Sequence, residues 1–189
     1  MDCCNFDGSI QRRKGACLRQ AGEVEDIVTF QIVSVFLPNT VAVPPESPIM
    51  DQWNVEFIPH ILPVLKGSVV EFPNTDTVRH NVYSPVPIPG TQIMLSLGTY
   101  DPEVIKTIRL DKAGEIPLRC NVHQEMSAFI VVLGNPYFTL TNKKGEFIID
   151  NVPPGKYVLK TWHEKFRPVR IGVTVAPNQT VEVELPTIQ

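Results

Sequence analysis

The sequence lacks the features that mark several common functional classes. It has no run of 18 or more apolar residues, so no membrane span is predicted. Its 17 Lys and Arg residues against 20 Asp and Glu residues give a net charge of -3, which offers no basic surface for nucleic acid. It contains no Gly-rich phosphate loop, no G-x-S-x-G elbow and no H-E-x-x-H pair. Nucleic-acid binding, membrane insertion and conventional hydrolase chemistry therefore have no support.

Cysteine and histidine are also scarce, and their placement is informative. Of the four cysteines, Cys3, Cys4 and Cys17 lie close to the N-terminus, and only Cys120 lies in the body of the chain. This is a poor framework for disulfides, and the three N-terminal thiols lack a fourth ligand at a structural-zinc spacing. The four histidines are His60, His80, His123 and His163. With so few such side chains, any cluster among them points to a metal site or a reactive thiol.

Proline, in contrast, is abundant, with 18 residues in 189. Because proline lacks an N–H donor and fixes φ, this composition disfavours long helices and favours short strands and turns. The sequence therefore predicts an all-β fold, with residues 84–102, which contain four prolines, as a long loop. The predicted strands are Ile32–Leu37, Trp53–Ile58, Ser68–Phe72, His80–Tyr83, Val104–Leu110, Pro117–Cys120 and Ser127–Leu133.

The composition changes along the chain and predicts three parts. Residues 1–25 are polar and unperiodic, and are predicted to form a poorly ordered tail. The apolar stretch 27–37 is either an uncleaved strand or the remnant of a signal peptide; the acidic residues before it favour the strand, so no clear signal peptide is assigned. Residues 26–134 are predicted to form one β domain. The regular alternation over 135–189 predicts a second, smaller β-sandwich.

One short segment carries a pattern of metal ligands. Cys120, His123 and Met126 follow each other at the spacing C-x2-H-x2-M between two predicted strands. A thiolate and a thioether are soft ligands and an imidazole is borderline, a combination that suits copper better than zinc, magnesium or calcium. A trigonal copper site with two histidines, a cysteine and a weak axial methionine needs one more imidazole. His80, at the start of a predicted strand, can supply it.

These residues also carry a resemblance to a known family. The segments DTVRHNV and LRCNVHQEMSAFIVVL are similar to those of the cupredoxins, of the plastocyanin and amicyanin type. The resemblance implies one type 1 copper ion, with His80, Cys120 and His123 as equatorial ligands and Met126 as the axial ligand. It also implies that the Asn81 side chain holds the cysteine loop. Residues 135–189 resemble the carboxypeptidase regulatory-like (transthyretin-like) domain.

The resemblance implies a fold and a function for the whole chain. The fold is a cupredoxin Greek-key β-sandwich followed by a smaller transthyretin-like β-sandwich, a tandem similar to bacterial proteins described as methylamine utilisation proteins. The function is that of a blue copper protein, working in the periplasm or elsewhere outside the cytoplasm. It would pass single electrons between redox proteins such as a dehydrogenase and a c-type cytochrome.

Other interpretations remain open from the sequence. The same ligands would serve a copper carrier or sensor without electron transfer, and the tandem would also suit a structural or adhesive protein with a vestigial site. An enzyme is not expected, because four protein ligands leave no open coordination position. His60 is predicted to be a strand-end residue, with a second metal contact as the alternative. His163, beside Trp162, is predicted to pack structurally.

Overall fold

The structure is a computed structural model that describes residues 16–20, 32–36 and 46–186. Every regular element within these ranges is a β-strand, which confirms the predicted all-β class. Among the described residues there is accordingly no helix long and apolar enough to cross a membrane.

The strands follow each other closely along the chain. They are β1 (Ala16–Gln20), β2 (Ile32–Val35), β3 (Asp51–Trp53), β4 (Glu56–Ile58), β5 (Ile61–Leu65), β6 (Val69–Pro73), β7 (His80–Pro87), β8 (Met94–Tyr100), β9 (Ile105–Arg109), β10 (Gly114–Arg119), β11 (Ser127–Leu133), β12 (Phe138–Leu140), β13 (Ile148–Val152), β14 (Gly155–Trp162), β15 (Arg170–Val175) and β16 (Thr180–Val183). They divide between two compact units. The central unit is Asn39–Pro136, and the flanking unit joins the segment ending at Pro38 to the segment beginning at Tyr137.

The central unit contains a five-stranded sheet in the order β5-β11-β10-β7-β8. The β5–β11 pair is parallel and the other pairs are antiparallel. Two further strand pairs, β3–β4 and β6–β9, belong to the same unit. Since β7 and β10 are antiparallel neighbours, with Arg119 opposite Tyr83, the end of β10 lies beside the start of β7. This end of the sheet positions the candidate metal ligands.

The core of the central unit follows from the alternation of its strands. Along β10 and β11 the buried positions recur with a period near two, as expected where one face of a sheet is covered. The buried cluster is mostly aliphatic and also includes Cys120 and Met126, so the predicted sulfur ligands lie at the edge of a packed core rather than on a free loop. The most deeply buried members include Val70, Phe72, Leu110, Ile116, Leu118 and Ile130.

The flanking unit contains β2, a strand that the sequence had predicted to belong to the first domain. β2 lies between β12 and β14, with Val33 opposite both Thr139 and Thr161. The predicted first domain, residues 26–134, had included this strand. Its β-branched residues favour a strand that is buried on both faces, but they do not identify a partner more than a hundred residues away. The structure therefore moves the strand into the sheet of the flanking unit.

Part of the predicted tail also belongs to this unit. Within residues 1–25, β1 pairs antiparallel with β13 and parallel with β16. The prediction of a poorly ordered tail is thus wrong for residues 16–20, which carry Cys17. Cys3 and Cys4 lie outside the described residues.

Two predicted elements of the central unit also differ, and one strand was not predicted. The predicted strand Trp53–Ile58 is divided by a turn at Asn54 and Val55, both with positive φ. The loop predicted over 84–102 contains the end of β7 and all of β8. β5 was missed because it contains Pro63; it is an edge strand paired only with β11 in its sheet, where proline is tolerated.

Candidate metal centre

Three of the predicted ligands converge at one end of the five-stranded sheet. His80 is the first residue of β7, Cys120 directly follows β10, and His123 lies in the loop between β10 and β11. One ligand atom from each residue can be chosen so that all three lie within 4.8 Å of one another. His80 is fully buried, Cys120 is 3% exposed and His123 is half-buried. In the described part of the chain this is the single group of at least three His, Cys, Asp or Glu side chains placed to share a metal ion.

The two imidazole rings face each other through the same type of nitrogen. The Nδ1 atoms of His80 and His123 are 3.1 Å apart, and the ring centroids are 4.8 Å apart with an interplanar angle of 62°. Two lone pairs repel at this distance, so a proton or a cation has to lie between the nitrogens. Neutral imidazole nitrogens are common metal ligands, and the geometry therefore fits a shared cation.

A carboxylate contacts the His80 ring at the nitrogen that faces away from His123. Asp76 Oδ2 lies 2.9 Å from His80 Nε2. A hydrogen bond from the Val55 N–H, opposed by burial and supported by the bond to His80, lowers the pKa of Asp76 to about 2. The ionised carboxylate can only accept a hydrogen bond, so it suits an N–H at His80 Nε2, while His80 Nδ1 faces His123. Histidine ligands of metals are usually held by a partner of this kind.

The sulfur of Cys120 also has an identified partner. The backbone N–H of Asn81 donates to Cys120 Sγ over 3.4 Å. The sulfur of a cysteine binds a metal as the thiolate, and this N–H holds the sulfur in place. The resemblance had implied a role for the Asn81 side chain, but in the described structure its Oδ1 is buried without a hydrogen-bond partner. The contact to the sulfur comes from the backbone, and a role for the side chain stays a prediction.

Met126 lies at the end of the same loop. Its N–H donates to the carbonyl of His123 over 3.2 Å, which closes a turn between the two residues. Its side chain is 1% exposed and belongs to the apolar core. It also lines an open cavity of about 310 Å³ together with Glu56, Phe57, His60, Glu125 and Ser127. Its assignment as the axial ligand stays a prediction.

The remaining histidines do not join the cluster. His60 Nδ1 lies 3.0 Å from the carbonyl oxygen of Ser127. The His60 ring packs edge-on against the ring of Phe129, with the two ring centroids 6.0 Å apart. His163, in the flanking unit, packs against Phe166 with centroids 4.6 Å apart and accepts a hydrogen bond from the Lys165 N–H. Sequence reasoning missed Asp76, although a carboxylate four residues before a candidate histidine ligand is a readable signal.

Comparisons with known proteins gave one family model and several similar solved structures, each over part of the chain. Residues 127–187 match the family model of the carboxypeptidase regulatory-like domain, which confirms the resemblance for that part. A reduced amicyanin variant is 20% identical with a TM-score of 0.44, over 53% of this chain and 99% of that one. A purple cupredoxin from Nitrosopumilus maritimus is 17% identical with a TM-score of 0.41, over 46% of this chain and 100% of that one. A copper-containing nitrite reductase from Thermus scotoductus is 22% identical with a TM-score of 0.44, over 55% of this chain and 25% of that one. No curated protein sequence matches the chain.

Proposed function

We propose that this protein binds one copper ion in a type 1 site and carries single electrons between redox proteins. His80, Cys120 and His123 would be the equatorial ligands and Met126 the axial one. The observation that supports this most directly is the convergence of two imidazoles and a thiol, from stretches about 40 residues apart, within 4.8 Å. The chemistry of the donors, rather than any overall likeness of fold, leads to the choice of metal.

The donor set favours copper over the other common metals. Magnesium and calcium prefer oxygen ligands, whereas the carboxylate of Asp76 is bonded to the outer nitrogen of His80. Structural zinc sites take four nitrogen or thiolate ligands. Two imidazoles and one thiolate with a thioether close by in sequence form the set typical of blue copper.

The described residues are suited to holding such a site through a change of valence. Copper supplies the one-electron couple when it is bound. Asp76 fixes the His80 ring from its outer side, and the Asn81 N–H fixes the sulfur. Because these contacts come from strand ends and a buried carboxylate, the ligands need little movement between the two states. Hydrogen bonding around the cysteine sulfur also tunes the potential of such sites.

His123 is the proposed route for electrons. It is half-buried, whereas its neighbour Val122 in the same loop is 47% exposed. Around His123 the loop exposes one apolar residue, Val122, together with Asn121, Gln124 and Glu125. A small contact surface of this kind suits a short-lived complex with a redox protein. A dehydrogenase or a c-type cytochrome, met outside the cytoplasm, is the partner that the resemblance implies. With four ligands from the protein, the site would not be that of an enzyme.

The first experiment is to load the purified protein with Cu(II) and record its visible spectrum. An intense thiolate-to-copper band with one copper per chain is expected, and it should vanish in Cys120→Ser. Cys17→Ser is the matched control and should keep the band. Absence of the band in the parent protein would refute the blue-copper assignment.

The carrier alternative makes a different prediction for the loaded protein. An electron carrier should give reversible voltammetry with fast transfer at an electrode. A carrier or sensor of Cu(I) would bind copper tightly but exchange electrons slowly. A vestigial site would hold no stoichiometric copper, and metal analysis would show this at once.

A further inference from the structure

The turn between β3 and β4 adopts a backbone conformation that its sequence disfavours. Asn54 and Val55 have φ values of 53° and 61°. Asparagine is comfortable in the left-handed region, but a β-branched residue there is an outlier. Hairpin turns with two positive φ values prefer Asn-Gly. Contacts outside the turn must therefore stabilise Val55 in this conformation.

Those contacts come from the loop that follows β6. The Val55 N–H donates to Asp76 Oδ2 over 2.9 Å. In return, the Asp76 N–H donates to the carbonyl of Gln52 over 3.0 Å. Thr75 Oγ1 adds a bond of 2.7 Å to Asp51 Oδ2. The loop and the β3–β4 hairpin are thus joined by bonds in both directions, and Asp76 is at their centre.

The same carboxylate oxygen also reaches the candidate copper site. Asp76 Oδ2 accepts the Val55 N–H and lies 2.9 Å from His80 Nε2, and its side chain is only 9% exposed. The hairpin also contacts the β7–β8 strand pair, because the Gln52 side chain donates to the hydroxyl of Tyr100. Tyr100 lies directly opposite His80 in the β7–β8 pair.

We propose that Asp76, held in place by the left-handed turn at Val55, is the positioning residue of the site. Its shared oxygen keeps the His80 proton on Nε2 and the ring in the orientation that presents Nδ1 to His123 and Cys120. The consequence for copper rests on the function proposed above. The consequence for the His80 proton does not, since it concerns the metal-free protein.

The metal-free protein provides the first test. Long-range proton–nitrogen NMR, with His80 assigned by its absence in His80→Gln, should show a single Nε2–H tautomer. Asp76→Ala should give mixed tautomers and faster exchange of the Val55 amide proton. Asp76→Asn keeps an oxygen that can accept both bonds, so it should retain most of the tautomer preference. A wild-type tautomer and Val55 exchange rate in a folded Asp76→Ala would overturn the proposal.

The copper-loaded protein provides the second test. Loss of a partner that orients a metal ligand costs about 10- to 100-fold in affinity. Asp76→Ala should therefore bind copper that much more weakly, with a shifted visible band, and Asp76→Asn should fall in between. Asp111→Ala is the matched control, because it removes an exposed carboxylate that is paired with Arg109, and its affinity and band should match the parent. Unchanged affinity and spectrum in Asp76→Ala would also contradict the proposal.

The two tests separate this inference from the proposed function. If the parent protein shows the Nε2–H tautomer and the Asp76 dependence but binds no copper, the positioning is correct and the function is wrong. If it binds copper as a blue site and Asp76→Ala changes neither tautomer nor affinity, the function stands and the positioning role is wrong.

Discussion

The two units of the molecule bury different kinds of side chain. In the described residues of the flanking unit, the buried polar side chains are the hydroxyls of Thr141 and Thr161, around a core of aliphatic residues and Phe147. The central unit has a larger apolar core but also buries amide, hydroxyl and imidazole groups: Gln52, Ser68, Asn74, His80, Asn81, Ser84 and Asn135.

This difference indicates where the chemistry lies. A buried polar group costs free energy unless it is hydrogen-bonded, so a stable sandwich does not need such groups. In the central unit several of them are bonded near the start of β7: His80 to Asp76, and the Gln52 and Asn74 side chains to Tyr100. The flanking unit has the composition of a scaffold, while the central unit retains polar groups that its stability alone does not explain.

The largest expected effect separates stability from metal binding. Leu159 is fully buried in the flanking unit, and Leu159→Ala should reduce the free energy of unfolding by about 2–5 kcal/mol. Copper affinity of the folded protein should not change. Leu118, equally buried but two residues before Cys120, is the matched control: Leu118→Ala should lose both stability and copper affinity. Denaturant titration and copper titration measure the two quantities. Lost copper binding in a folded Leu159→Ala would contradict the division of roles.

Copper binding should stabilise the central unit and leave the flanking unit unchanged. A ligand that binds only the folded state stabilises it by about 2.7 kcal/mol when its free concentration is 100 times Kd. Residue-resolved amide exchange should therefore slow around Val82 and Ile130 in the central unit when copper is added. Amides around Val173 in the flanking unit should not respond. Cys120→Ser should abolish the effect, and equal slowing in both units would refute a site confined to the central one.

A smaller effect is expected at the predicted axial ligand. Met126→Leu conserves volume, so it should cost less than about 1.5 kcal/mol of stability. It removes a weak donor that favours Cu(II), and the reduction potential should therefore rise. Met50→Leu, at another fully buried methionine of the same core cluster, should leave the potential unchanged. Equal potentials in Met126→Leu and the parent would show that the thioether is not a ligand.

The sequence could predict those parts of the fold and of the candidate site that depend on local patterns. The spacing of Cys120, His123 and Met126 is local, and it identified the cluster because so few soft ligands are present. Period-two alternation identified most strands of the central unit. Both signals depend on neighbours in sequence.

What the sequence missed depends on partners far along the chain. The place of β2 between β12 and β14 follows from cross-strand packing that its own residues do not specify. The sequence predicts a continuous strand through Asn54 and Val55, because valine disfavours positive φ and the bond that stabilises it comes from Asp76, 21 residues further along the chain. Asp76 lies only four residues before His80, so its nearness was readable, whereas its bond to Val55 was not.

The smallest expected effect concerns Tyr100, one of the buried polar groups of the central unit. Burial raises its pKa from 10.0 to about 12, although the Gln52 side chain donates to its hydroxyl and opposes the shift. The unfolded chain then releases this proton first, so the phenol's contribution to stability is complete below pH 10 and is lost as the pH rises toward about 12. In the metal-free protein, stability should fall more steeply above pH 10 in the parent than in Tyr100→Phe. Phenolate absorbance should show one group that ionises near pH 12 in the parent and none in Tyr100→Phe. A parent titration identical to that of the variant would show that the core does not shield this phenol.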